Sequence, residues 1–124
     1  MITAKRFVKN GEFEYAIQIY NSLIERNRSV LLYYKLRGIC QFYISNFKAA
    51  EADFLHVINN EANNADALFN LAQSYVFCKK FDLAVKYFIT SGESSPRKDI
   101  FLNLKAIILH RQWSKRATPN SKCM

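Results

Sequence analysis

The side chains best suited to holding a metal or attacking a carbon centre are His56, His110, Cys40, Cys78 and Cys123. None is placed to do so. A metal site on a helix wants a second His or Cys three or four residues on, and none of the five has one. No CxxC pair occurs. GxSxG, P-loop and HExxH patterns are also missing. Catalysis is therefore not expected, and nothing calls for a metal or cofactor. His56 and His110 read as helix-surface or interhelix residues. Cys40 and Cys78 lie in apolar helical stretches and read as small buried hydrophobes. Cys123, in a polar tail, reads as an exposed thiol.

The chemistry that remains is recognition, and its placement depends on the elements. Four columns of residues recur every 34 positions. Ala16, Ala50 and Ala84 form one, Phe13, Phe47 and Phe81 a second, and Tyr20, Phe54 and Phe88 a third. A fourth holds the small residues Ala4, Gly38, Ala72 and Ala106. Such a period marks stacked copies of one supersecondary unit.

Within each period the pattern is helix, short turn, helix. Apolar spacing predicts helices over residues 2–9, 13–26, 30–44, 47–60, 65–78, 81–92 and 97–114. Turns fall at Asn10-Gly11-Glu12, Ser45-Asn46 and Lys79-Lys80. The stretch from Asn59 to Asn64 is rich in helix-capping residues. Gly92 reads as a C-terminal cap, with Pro96 beyond it. Three Gly and two Pro in 124 residues fit an all-α fold.

The chain resembles the tetratricopeptide repeat (TPR) family. Leu68, Leu71, Ala72 and Tyr75, then Ala84 and Phe88, then Pro96, follow that motif with Ala for its Gly. Tyr34, Gly38, Ala50 and Phe54 follow it one unit earlier, but Arg37 and Gln41 stand at usually apolar or aromatic positions. The resemblance implies a right-handed α-α superhelix of stacked helix-turn-helix repeats. It implies one domain over 1–114, with repeats at 1–29, 30–64 and 65–98, a capping helix at 99–114 and a flexible basic tail at 115–124. The first helix of the first repeat is short. Pentatricopeptide repeats, which bind RNA, have a period of 35 rather than 34 and do not fit as well.

In this family the first helices of successive repeats line a concave groove. By that analogy the second repeat contributes Leu32, Lys35, Leu36, Ile39, Phe42 and Tyr43. The third contributes Asp66, Phe69, Asn70, Gln73, Val76 and Phe77. The last helix contributes Asn103, Leu104, Ile107 and Arg111. Phe42 and Phe77 have an alternative reading as interhelix core. An apolar and aromatic lining with scattered amides suits an extended or helical peptide with apolar anchors. The resemblance thus implies a non-catalytic adaptor, scaffold or assembly factor.

Chaperone-binding members of the family hold a terminal carboxylate with Lys and Asn in the first helix, Asn in the second repeat and basic residues in the third. The matching positions here hold Met1, Lys5, Leu36 and Asp66. Tight binding of chaperone EEVD tails is therefore not expected.

The net charge of +8 collects at the ends. Residues 1–10 hold Lys5, Arg6 and Lys9. Residues 97–124 hold Arg97, Lys98, Lys105, Arg111, Lys115, Arg116 and Lys122 against Asp99. Residues 11–96 are nearly neutral. Basic ends leave a second reading open, a binder of nucleic acid or anionic membrane. A third is a small secretion-type chaperone, on size alone. An odd cysteine count, no signal peptide at the N-terminus and no 18-residue apolar run lead to an expected cytoplasmic location.

Overall fold

The computed structural model describes residues 2–94, together with Leu104 and Ile107, which are both helical. Six helices occupy the described stretch: α1 (Ile2–Lys9), α2 (Phe13–Arg26), α3 (Leu31–Tyr43), α4 (Phe47–Asn60), α5 (Ala65–Phe77) and α6 (Phe81–Ser94). The repeat spacing thus places each of these six helices within one or two residues. The largest difference is at the end of α6. α6 runs through Gly92, which keeps a right-handed conformation and caps nothing. The expected capping helix and basic tail otherwise lie outside the described residues.

The three turns inside the helix pairs share one backbone design. Gly11, Ser45 and Lys79 all have positive φ, at 77°, 65° and 59°. They stand 34 residues apart. The next N–H reaches back five residues in each case: Glu12 to the Phe7 carbonyl, Asn46 to Gln41 and Lys80 to Tyr75, at 2.8–2.9 Å. The positive-φ residue itself bonds three residues back, to Val8, Phe42 and Val76 at 3.0 Å. Both bonds together are the Schellman ending, which satisfies carbonyls left open at a helix C-terminus.

The chain divides into two compact units, Met1–Ala62 and Asn63–Met124. The break falls in the loop that follows α4. In the first unit α1 packs on α2, α2 on α3 and α3 on α4. Ala16, Tyr20 and Cys40 are buried there, and Phe7, Phe13, Ile17, Leu23 and Leu36 pack against them. Phe47, Ala50, Phe54 and Val57 form the buried stripe of α4. Their spacing of three, four and three residues keeps them on one helix face.

In the second unit α5 packs on α6. Asn64 caps α5 by accepting a hydrogen bond from the Ala67 N–H at 3.1 Å. The buried Ser91 hydroxyl of α6 donates to the Ala65 carbonyl at 3.0 Å and ties the pair together at that end. Ala72, Ala84 and Phe88 are fully buried, as their columns require.

Candidate functional site

Leu32, Leu36, Ile39 and Tyr43 recur along α3 at intervals of four, three and four residues, so they share one face. Lys35 and Phe42 flank them. Leu32 is 44% exposed and Tyr43 61% exposed. The other four are half-buried. The Tyr43 ring nevertheless has support. It stacks on Phe13 with centroids 5.0 Å apart, and Phe42 meets it edge-on at 5.7 Å. Phe42 also meets Phe47 edge-on at 5.6 Å, which places it between the open face and the core.

The corresponding face of α5 carries Asp66, Asn70, Gln73 and Phe77. Asp66 and Phe77 are exposed, the latter at 53%. Asn70, Gln73 and Val76 are half-buried. Phe69 departs from the expectation. It is only 5% exposed, and its ring meets Phe88 of α6 edge-on at 5.4 Å. It belongs to the packing of the helix pair rather than to an open face. Ile107 is likewise buried, while Leu104 is half-buried. Asn103 and Arg111 lie outside the described residues, as do Arg97, Lys98 and the other C-terminal cations.

A cavity of about 190 Å³ opens in the first unit. Val8 and Lys9 of α1, Tyr20 of α2 and Leu36, Ile39 and Cys40 of α3 line it. Burial pushes the Cys40 thiol up to about 11. Burial also raises the Tyr20 phenol, with a further contribution from Cys40. Both groups are therefore neutral at physiological pH.

Arg37, which departs from the repeat pattern, centres a polar cluster. Arg37 donates from Nε to Asp53 Oδ2 at 2.9 Å and from Nη2 to Oδ1 at 2.6 Å. Its Nη1 donates to Asn21 Oδ1 at 2.9 Å. The guanidinium also lies 5.5 Å from the Tyr34 ring centroid, and the other partner of that ring is His56 at 4.1 Å. One arginine thus joins α2, α3 and α4. The hydrogen-bonded Asp53 carboxylate raises the Arg37 guanidinium above its usual range, against the opposing effect of burial. Asp53 is buried, on the stripe between Ala50 and Phe54. Gln41 Oε1 is buried without a hydrogen-bond partner.

The second unit solves the same positions differently. Leu71 stands 34 residues after Arg37 and is fully buried. Tyr87 and Tyr75, at the places of Asp53 and Gln41, stack at 5.7 Å. Lys80 lies 5.9 Å from the Tyr75 ring and Lys86 5.5 Å from Tyr87.

Cys123 and His110 lie outside the described residues. Cys40 is a buried free thiol. Cys78 is half-buried, which departs from its reading as a small buried hydrophobe. Among the described residues no three His, Cys, Asp or Glu side chains gather as a metal site would require. Among them, too, no helix is long and apolar enough to cross a membrane.

No family model and no curated protein matches the chain. Solved structures do. The first TPR domain of human RPAP3 matches with a TM-score of 0.86 at 16% identity, over 94% of this chain and 92% of that one. The first TPR of Spaghetti (RPAP3), bound to the HSP90 peptide SRMEEVD, matches at 0.84 and 17% identity, over 89% and 88%. The second TPR domain of human RPAP3, in complex with the HSP70 peptide SGPTIEEVD, matches at 0.80 and 23% identity, over 86% and 89%. The chain has the tetratricopeptide-repeat fold.

Proposed function

We propose that this chain is a non-catalytic protein-interaction module, an adaptor or scaffold, that holds partner segments on the open faces of its first helices. The observation that carries this reading is the pair Tyr43 and Phe77. They stand 34 residues apart, at the same position of α3 and α5, and each exposes more than half its surface. Large exposed aromatics at equivalent positions are the kind of anchor that dominates protein interfaces. Leu32 extends the apolar stripe on α3. Two solved neighbours of the same fold support the reading, since each was determined with a chaperone peptide bound.

The experiment is capture of partners on the immobilised chain, followed by mass spectrometry, with a Tyr43→Ser/Phe77→Ser variant alongside. Both side chains are exposed, so the variant should keep its helical circular dichroism, with a melting temperature lowered modestly by the loss of the Tyr43 ring contacts to Phe13 and Phe42. Loss of the captured partners with the fold intact is the expected outcome. Retention of all of them would mean that binding uses another surface.

A further inference from the structure

The chain passes from the last turn of α2 to the start of α3 through Glu25-Arg26-Asn27-Arg28-Ser29-Val30. Glu25 through Ser29 are all exposed. Two arginines thus precede one serine hydroxyl, by three residues and by one. Among the described residues Ser29 alone, of all serines and threonines, follows a cation at three residues. The repeat does not call for this pattern. One period later Asn60, Ala62 and Asn63 stand at the places of Arg26, Arg28 and Ser29.

The other hydroxyls are less available. Ser74 and Ser91 are buried. Those of Ser22 and Thr90 donate to carbonyls one helical turn back. Ser29 Oγ donates instead to Asn27 Oδ1 at 2.7 Å, and its N–H donates to the same atom at 3.2 Å. Both bonds are exposed and local, so water replaces them at little cost. The backbone on either side is already extended, at φ −151° and ψ 97° for Asn27 and φ −85° and ψ 98° for Val30. Only the Arg28-Ser29 turn has to open for the segment to straighten. Among the described residues neither arginine is committed to an ion pair, so both guanidiniums can meet an incoming carboxylate.

We propose that Ser29 is a phosphorylation site for a protein kinase that selects basic substrates. The substrate groove of such an enzyme presents carboxylates, which pair with Arg26 and Arg28 and bring the hydroxyl to the nucleotide. Ser29 Oγ attacks the γ-phosphorus of a nucleoside triphosphate. The Oγ–P bond forms as the bond from that phosphorus to the bridging oxygen breaks. The diphosphate leaves, and the hydroxyl proton passes to the kinase's catalytic base. The product carries about two negative charges. Arg26 and Arg28 offset part of that charge, and the first turn of α3 holds no acid to oppose it. The fold therefore keeps the modified residue without melting.

The test uses the folded full chain, ATP and the catalytic subunit of cAMP-dependent protein kinase, with the modified residue located by peptide mass spectrometry. The expected result is one phosphoryl group on Ser29, with a melting temperature no lower than that of the unmodified chain. Arg26→Gln should lower kcat/KM at Ser29 at least about tenfold, the worth of a charge-assisted hydrogen bond. Arg26 is exposed, so this variant should fold like the parent. Ser114 and Thr118 also follow a cation by three residues, Arg111 and Lys115. Label confined to those two, with Ser29 unmodified, would overturn the site. So would modification of a synthetic peptide of residues 22–34 but not of Ser29 in the folded chain, because the loop would then be closed to the enzyme. Equal rates for the parent and Arg26→Gln would overturn recognition through the cations. A melting temperature lowered by the modification would overturn its accommodation beside α3.

Discussion

Gly38 lies against the ring of Phe54 so closely that a methyl group on its Cα would stand 2.8 Å from Cε1. Phe54 is fully buried and cannot swing away. The missing side chain of Gly38 therefore sets how near α3 comes to α4. Gly38→Ala gains about 1 kcal/mol of helix propensity but overpacks a filled core, at about 1–3 kcal/mol. The expected balance is a destabilisation of about 1 kcal/mol, read from urea denaturation midpoints. Phe54→Leu in the Gly38→Ala background should cost less than in the parent, because the two share one space. A Gly38→Ala variant as stable as the parent would show that the contact has slack.

Arg37 and Asp53 form the second seam between those helices. Arg37→Leu leaves a buried carboxylate with no counter-ion and should cost about 3 kcal/mol. The double variant Arg37→Leu/Asp53→Tyr installs the residue types found at Leu71 and Tyr87. Replacing a buried pair with packed apolar groups is often neutral, so most of the loss should return. A double-mutant cycle by chemical denaturation measures it. Additive losses from the two changes would mean that the pair is not coupled.

Stability should fall with pH above about 9. The folded state holds the Cys40 proton up to about 11, while the unfolded chain releases it near 9. The unfolded state thus binds fewer protons between those values, and stability drops as pH rises through that window. Below it, the contribution is fully present. The expected loss is on the order of 2 kcal/mol across the window. Tyr20, also raised by burial, acts in the same direction. Cys40→Ala should lose less on going from pH 8.5 to 11 than the parent does. Equal slopes would assign the effect elsewhere.

Calorimetry with a peptide ending in EEVD should show a dissociation constant weaker than micromolar. Two solved neighbours hold such tails, so the expectation separates this chain from them. It rests on Leu36, where the family uses an amide, and on Asp66, an acid where it uses a base. A carboxylate-ended ligand meets no donor at Leu36 and repulsion at Asp66. Micromolar binding would show that other residues carry the clamp.

Helix positions were legible because the 34-residue columns fix them twice over, by apolar spacing and by repetition. Even the turns were visible, although Ser45 and Lys79 give no glycine signal for their left-handed backbone. Phe69 was misplaced for a physical reason. Ala67, Leu68, Phe69, Leu71, Ala72, Ser74 and Tyr75 are all buried, so α5 is covered on nearly every side and its sequence does not single out an open face. Arg37 stood out as a departure, but its partners Asn21 and Asp53 are each 16 residues away and follow no local rule. The cavity could not be read at all, since it depends on how three helices fail to fill a space.

Arg37 and Asp53 have one more effect, on which helix may pair with which. A hairpin formed from α3 and α6 would set Arg37 against Tyr87 and leave it without an acid. One formed from α5 and α4 would bury Asp53 beside Leu71. Both leave a desolvated charge unpaired, whereas the native hairpin pairs the two. Two repeats built on the same columns are in this way made non-interchangeable, as lock wards admit one key. The Arg37→Leu/Asp53→Tyr chain loses the ward and should exchange hairpins between molecules, giving more dimer than the parent after refolding at high concentration, as resolved by size-exclusion chromatography.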